Sequence, residues 1–109
     1  MQQHATDARL SADQASSLLK ALADPTRQRI LLQLGKGERC VCDLTSDLDL
    51  AQSKLSFHLR VLKESGLVSD RQSGRWIYYR LEPLMIRDLE TWLSDLRRHC
   101  STAAAACCD

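Results

Sequence analysis

The chain has 109 residues, 44% hydrophobic and 27% charged, with five cysteines and a net charge of +1. That fits one globular domain with a modest core, and no apolar run reaches the roughly 18 residues a membrane-spanning helix needs. The polar segment at residues 1–10 lacks the apolar centre of a signal peptide, which predicts a cytoplasmic protein with reduced thiols. An odd cysteine count in a reducing compartment points to metal or redox chemistry rather than a disulfide framework.

Helix signals come first along the chain. Ser11 and Gln14 form a capping box ahead of Ala15, Leu18, Leu19 and Leu22 at helical spacing. Asp24-Pro25 is an N-cap with proline at the first helical position, and the helix it opens carries Ile30, Leu31 and Leu34 and stops at Gly35-Lys36-Gly37. A short helix is predicted over Val41–Asp47, then a tight turn at Leu48-Asp49-Leu50. A further helix follows from Gln52 to Glu64, with Leu55, Leu59 and Leu62 as its apolar stripe.

The period then changes. Leu67–Arg71 and Trp76–Leu81 read as strands of a β-hairpin around Gln72-Ser73-Gly74. A last helix starts near Pro83 with Met85, Leu89, Trp92, Leu93 and Leu96 on one stripe. The sum is a mainly α fold with a β-hairpin, a winged helix-turn-helix, over residues 1–99. Residues 100–109 are expected to be a flexible tail carrying Cys100, Cys107 and Cys108. The stripe on the last helix predicts a homodimer formed through the N- and C-terminal helices.

Charge is uneven. Residues 51–80 hold six basic side chains against two acidic ones, a pattern that suits a face meeting a polyanion, here double-stranded DNA. Gln52 and Ser53 begin the second helix of the helix-turn-helix, where such proteins touch base edges. Ser56 shares their face, and Phe57 would lie against a thymine methyl. Lys54, Arg60 and Lys63 are placed for phosphates, and His58, at the edge of the stripe, for a structural or phosphate-bonding role. Arg71 and Arg75, with Ser73, are expected at the hairpin tip. Trp76, Tyr78 and Tyr79 read as packing residues of the ribbon. No cysteine has a histidine partner at nucleophile spacing and no glycine loop cradles phosphate, so no enzyme is expected.

Cys40 and Cys42 are one residue apart at a helix start. Side chains at i and i+2 diverge on a helix but align on an extended segment. One soft ion held by both thiolates would therefore favour an opened first turn. Arg39 and the helix N-terminus both favour the thiolate form.

Taken together, Asp24-Pro25-Thr26-Arg27, Cys40-Val41-Cys42-Asp43-Leu44, Gln52-Ser53, His58-Leu59, Ser65-Gly66-Leu67-Val68 and Gly74-Arg75-Trp76 with Tyr78-Tyr79-Arg80-Leu81 resemble the ArsR/SmtB family of metalloregulatory repressors over roughly residues 13–99. The resemblance implies a repressor that binds its operator with no cofactor and is released by As(III) or Sb(III) at cysteine thiolates. It is strongest to the arsenic-responsive branch, with Cys40 and Cys42 as ligands. That branch has a third cysteine where this chain has Thr45, a poor ligand for a soft ion. Cys100, Cys107 and Cys108 are the remaining sulfur donors, either completing the Cys40/Cys42 site or forming one of their own. A thiol redox or persulfide sensor on the same fold and a Cd(II)/Pb(II) sensor stay open, although the cadmium and lead branch uses N-terminal cysteines that residues 1–39 lack. Ala51 stands where a Ser or Thr cap is usual, and Asp49 where the family often has Gly.

Overall fold

A computed structural model describes residues 10–106. Its elements are α1 (Ala12–Leu22), α2 (Pro25–Leu34), β1 (Arg39–Cys40), α3 (Val41–Leu48), α4 (Gln52–Ser65), β2 (Val68–Ser73), β3 (Trp76–Leu81) and α5 (Pro83–Arg98). Local chemistry explains most of the boundaries. The Ser11 hydroxyl accepts from the Gln14 N–H, and Gln14 Oε1 accepts from the Ser11 N–H at 2.8 Å, closing the capping box on α1. Asp24 accepts from the Arg27 N–H at 3.0 Å and Pro25 pre-sets the first turn of α2. Gly66, at φ 89°, turns the chain out of α4 through the left-handed region that glycine enters without strain.

The core lies where α1, α2, α3 and α4 meet the base of the hairpin. Leu18, Ile30, Leu44, Leu55, Leu59, Leu62 and Leu67 are each buried almost completely. The expected stripe of α4 is therefore its buried face. It presses α4 onto α1 and β2 and turns the opposite face outward.

Two features differ from the sequence expectation. The hairpin strands run further, so the turn shrinks to Gly74-Arg75, with Ser73 opposite Trp76 and Gly74 at φ 63°. A third strand, β1, pairs with β3 in the order β1-β3-β2, Arg39 opposite Tyr79 and Cys40 opposite Tyr78. Two residues are too short for a periodic signal; only the neighbouring strand makes them extended. Among the described residues no helix is long and apolar enough to cross a membrane.

Candidate functional site

α3 and α4 form the helix-turn-helix, joined through Asp49, whose φ of 53° makes the turn. Leu44 and Leu48 bury one face of α3 against the core, and Arg29 of α2 ties its end by donating to the Leu48 carbonyl at 2.9 Å. Opposite the buried stripe of α4, the side chains of Gln52, Ser53, Lys54, Ser56, Phe57, Arg60 and Lys63 all stand exposed. Phe57 is 49% exposed, with the Arg60 guanidinium 5.9 Å from its ring centroid. Lys63 pairs with Asp70 of β2 at 3.1 Å, which pins that end of α4 to the wing.

His58 is not on this surface. It is 7% exposed, and its Nδ1 lies 3.1 Å from Arg27 Nη1. Arg27 also donates to the carbonyls of Ala21 and Lys20 at 2.8 and 3.1 Å. Because Arg27 can only donate, Nδ1 accepts, and the neutral ring carries its proton on Nε2. His58 is thus a buried strut between α4 and the α1–α2 junction, and a DNA contact is corrected to a structural role. Burial pushes its pKa below the usual value.

Arg71 is also displaced from its expected place. It lies two residues inside the hairpin, opposite Tyr78, and makes a two-pronged contact with Glu38. The hairpin tip is Arg75, whose guanidinium sits 5.4 Å from the Trp76 ring centroid. Trp76, expected to pack, is 43% exposed, and Ile77 is 41% exposed; Tyr78 and Tyr79 are half-buried.

The thiols occupy the junction of sheet and helix. Cys40 is half-buried, extended, and the N-cap residue of α3; Cys42 is exposed in the first turn of α3. Arg39 reaches Asp47 across the helix at 3.8 Å. Thr45 donates to the Val41 carbonyl at 2.8 Å, so its hydroxyl is engaged within its own helix. Cys100 lies just past α5, its thiol on the Leu96 carbonyl at 3.5 Å. Cys107 and Cys108 fall outside the described residues. Among the described residues no three His, Cys, Asp or Glu side chains gather as a metal-holding group. The donor chemistry at Cys40 and Cys42, two sulfurs and no hard oxygen ligand, fits a thiophilic ion.

Residues 24–70, which span α2 to the first half of β2, match the model of the bacterial regulatory protein, arsR family. The chain is 55% identical over 67 residues to the arsenical resistance operon repressor of Escherichia coli strain K12, a match covering 61% of this chain and 57% of that repressor. It thus spans less than two thirds of that relative. It is 32% identical over 78 residues to the transcriptional repressor SdpR of Bacillus subtilis strain 168, covering 72% of this chain and 87% of SdpR. The chain belongs to the ArsR family. A solution structure of a homodimeric winged helix-turn-helix DNA-binding domain from Mycobacterium bovis, a possible ArsR-family regulator, superposes with a TM-score of 0.66 at 29% identity, over 87% of this chain and 89% of that one.

In this ArsR-family chain the wing and α4 converge on Cys42. Its side chain shares a groove with Gln52, Ser56 and Leu59 of α4 and with Arg75, Trp76 and Ile77 of the wing. Sequence reasoning had no signal for that meeting, because the residues are distant along the chain. It also missed Glu38 and Arg27, whose partners are set by β-register and by the crossing of α2 and α4.

Proposed function

We propose that this ArsR-family protein is a homodimeric transcriptional repressor that holds double-stranded operator DNA in its metalloid-free form and releases it on binding As(III) or Sb(III). The observation that carries the reading is the position of the thiols. Cys40 stands at the N-cap position of α3 within the sheet, and Cys42 opens into the groove shared by α4 and the wing. Cys40 and Cys42 would hold the ion, which supplies covalent bonds to sulfur. Cys40 is extended in the sheet and Cys42 is helical, so an ion held by both would bear on the first turn of α3 and on the Cys40–Tyr78 pairing. α3 packs on α4, so the angle of the reader depends on that turn.

Gln52, Ser53, Ser56 and Phe57 are assigned to base edges, and Lys54, Arg60 and Arg75 to phosphates, while Lys63, expected to meet a phosphate, is held by Asp70. The dimer is supported by α5, which has no buried residue although Leu84, Leu93 and Leu96 are 62%, 51% and 58% exposed. Leu19 of α1 and Trp92 of α5 line one groove on the same side, so a second copy would cover both helices.

The test is release of a fluorescent fragment of the protein's own promoter, followed by anisotropy. A coupling of about 1–3 kcal/mol per site corresponds to a change in affinity of about 5- to 150-fold. Cys42→Ser is expected to bind DNA like the wild type and to ignore arsenite. Normal release of that variant by arsenite places the site elsewhere. Release of the wild type by peroxide, without metalloid and with no response to arsenite, identifies a redox sensor instead.

A further inference from the structure

We propose that His58 is a positioning residue for the reader helix: its neutral ring, held by Arg27, sets the angle of α4 for DNA, and a proton added there weakens the grip on the duplex. The proposal rests on the reading of α4 as the DNA-contacting helix and adds proton control to it.

The geometry around the ring leads to it. Among the described residues His58 is the only buried polar side chain. Its Nδ1 takes a hydrogen from Arg27 Nη1 at 3.1 Å. Arg27 is not free to turn away, because its Nε and Nη2 donate to the Ala21 and Lys20 carbonyls at 2.8 and 3.1 Å. The guanidinium is thus a fixed donor at the α1–α2 junction, and the ring is the α4 group that meets it. Phe57, assigned to base edges, stands edge-on to the same ring with centroids 5.2 Å apart. A shift of the ring therefore moves a DNA-facing side chain with it.

Protonation turns this contact from attraction to repulsion. A ring charged on both nitrogens has no acceptor left and points an N–H at a cation. The charged groups around it are Arg27 and Asp24 at the α1–α2 junction and Lys54, one turn earlier on α4, while α1 contributes the two carbonyls that hold Arg27. On α3 and β2, which also pack on α4, Asp47 is turned to Arg39, Asp70 to Lys63 and Arg71 to Glu38. The anion beside the ring is Asp24, whose Oδ2 lies 3.9 Å from Nδ1, too far for a hydrogen bond. That oxygen already accepts the Arg27 N–H at 3.0 Å as the cap of α2. The cap bond holds the Asp24 carboxyl below its usual pKa, so it stays charged while His58 titrates. A protonated ring therefore leaves Arg27 and moves toward Asp24, and α4 shifts with it. A histidine on the DNA face does the reverse: phosphates favour its charged form, and binding tightens as pH falls.

The experiment is an anisotropy titration of a fluorescent fragment of the protein's own promoter with the full-length, metalloid-free protein, at constant ionic strength, from about pH 7.5 down to about pH 5.5. Wild-type affinity is expected to fall about tenfold or more across this range, against a ceiling of about tenfold per pH unit for each chain. His58→Gln, which keeps an acceptor and does not titrate, should bind like the wild type at neutral pH and lose that dependence. His58→Leu, which gives Arg27 no acceptor, should bind weakly throughout. NMR titration of the His58 ring supplies a readout that a merely structural role does not move: its pKa should be lower on the duplex than in the free protein. Circular dichroism at each pH checks that each protein is folded. Wild-type binding that holds or tightens on acidification, equal slopes for the wild type and His58→Gln, a ring pKa unchanged or raised by the duplex, a folded His58→Gln that binds no DNA at neutral pH, or a His58→Leu that binds like the wild type each overturns the proposal and leaves α4 as the reader. Absence of wild-type binding at neutral pH overturns the reading of α4 along with it.

Discussion

Arg71 grips Glu38 through two hydrogen bonds of 2.8 Å while its guanidinium lies 4.6 Å from the centroid of the Tyr78 ring. Tyr78 is also the strand partner of Cys40, and Glu38 lies two residues before that cysteine. One cation thus ties the segment leading into the thiol pair to both strands of the wing. The Arg71 hydrogen bonds hold the Glu38 carboxyl below its usual pKa, so the pair stays charged well into mildly acidic solution. Its contribution is present above the unfolded carboxyl value and disappears as pH falls through the lower folded one.

An arginine already committed to a carboxylate has little left for a phosphate. Arg71→Ala is therefore expected to lower the melting temperature while leaving the salt dependence of operator binding unchanged. Arg75→Ala, at the tip, should reduce the slope of log K against log salt by about one for each phosphate it no longer neutralises. Binding titrations at several salt concentrations check this, and equal slopes for the two variants would falsify the assignment of Arg75.

His58 gives a pH dependence whose sign is fixed. Desolvation lowers its folded pKa beneath the unfolded value of 6.5, so below pH 6.5 the unfolded chain binds the extra proton first. Stability is constant above that value, falls as pH drops toward the folded pKa, and levels off beneath it, with a slope of at most about 1.4 kcal/mol per pH unit. His58→Gln keeps an acceptor for Arg27 but does not titrate. Urea unfolding from neutral pH downward should show this component of the slope in the wild type and not in the variant.

Leu44 is fully buried on α3 and joins the thiol-bearing helix to the core. Leu44→Ala removes that anchor and leaves a cavity, at an expected cost of about 2–5 kcal/mol. The denaturation midpoint should fall accordingly, and operator affinity should fall with it, because α3 sets the seat of α4.

Asp49 occupies the left-handed region at φ 53°, the one non-glycine residue with positive φ among those described. A side chain there costs of order 1 kcal/mol. Asp49→Gly is expected to raise stability by about that amount with an unchanged denaturant slope, and a variant no more stable than the wild type would show that the turn holds Asp49 without strain.

Much of this architecture was legible in local chemistry. Ser11 with Gln14, Asp24 with Pro25, and Gly66 mark helix ends because caps and turns are decided by the residues that form them. The stripe Leu55, Leu59 and Leu62 named the buried face of α4, and with it the exposed face that carries Gln52, Ser53 and Ser56. His58 was left between a structural and a phosphate-bonding role because it sits at the margin of that stripe. There one helical step decides between solvent and core, and only the position of Arg27 on α2 settles it. Arg71 escaped because two extra strand residues moved the turn to Gly74-Arg75, and Glu38 was in reach to claim the charge.

The residues alone determined the succession of helices, the wing, and the two thiols at the mouth of α3, since each depends on neighbours within a turn or two of chain. Tertiary structure decided what those thiols face. β1 becomes a strand only because β3 offers its edge, and that pairing sets Cys40 against Tyr78. The packing of α3 and α4 beneath the wing then brings Cys42 to Gln52, Ser56 and Trp76. Such contacts join residues that loop closure and core burial bring together, and no local pattern encodes them.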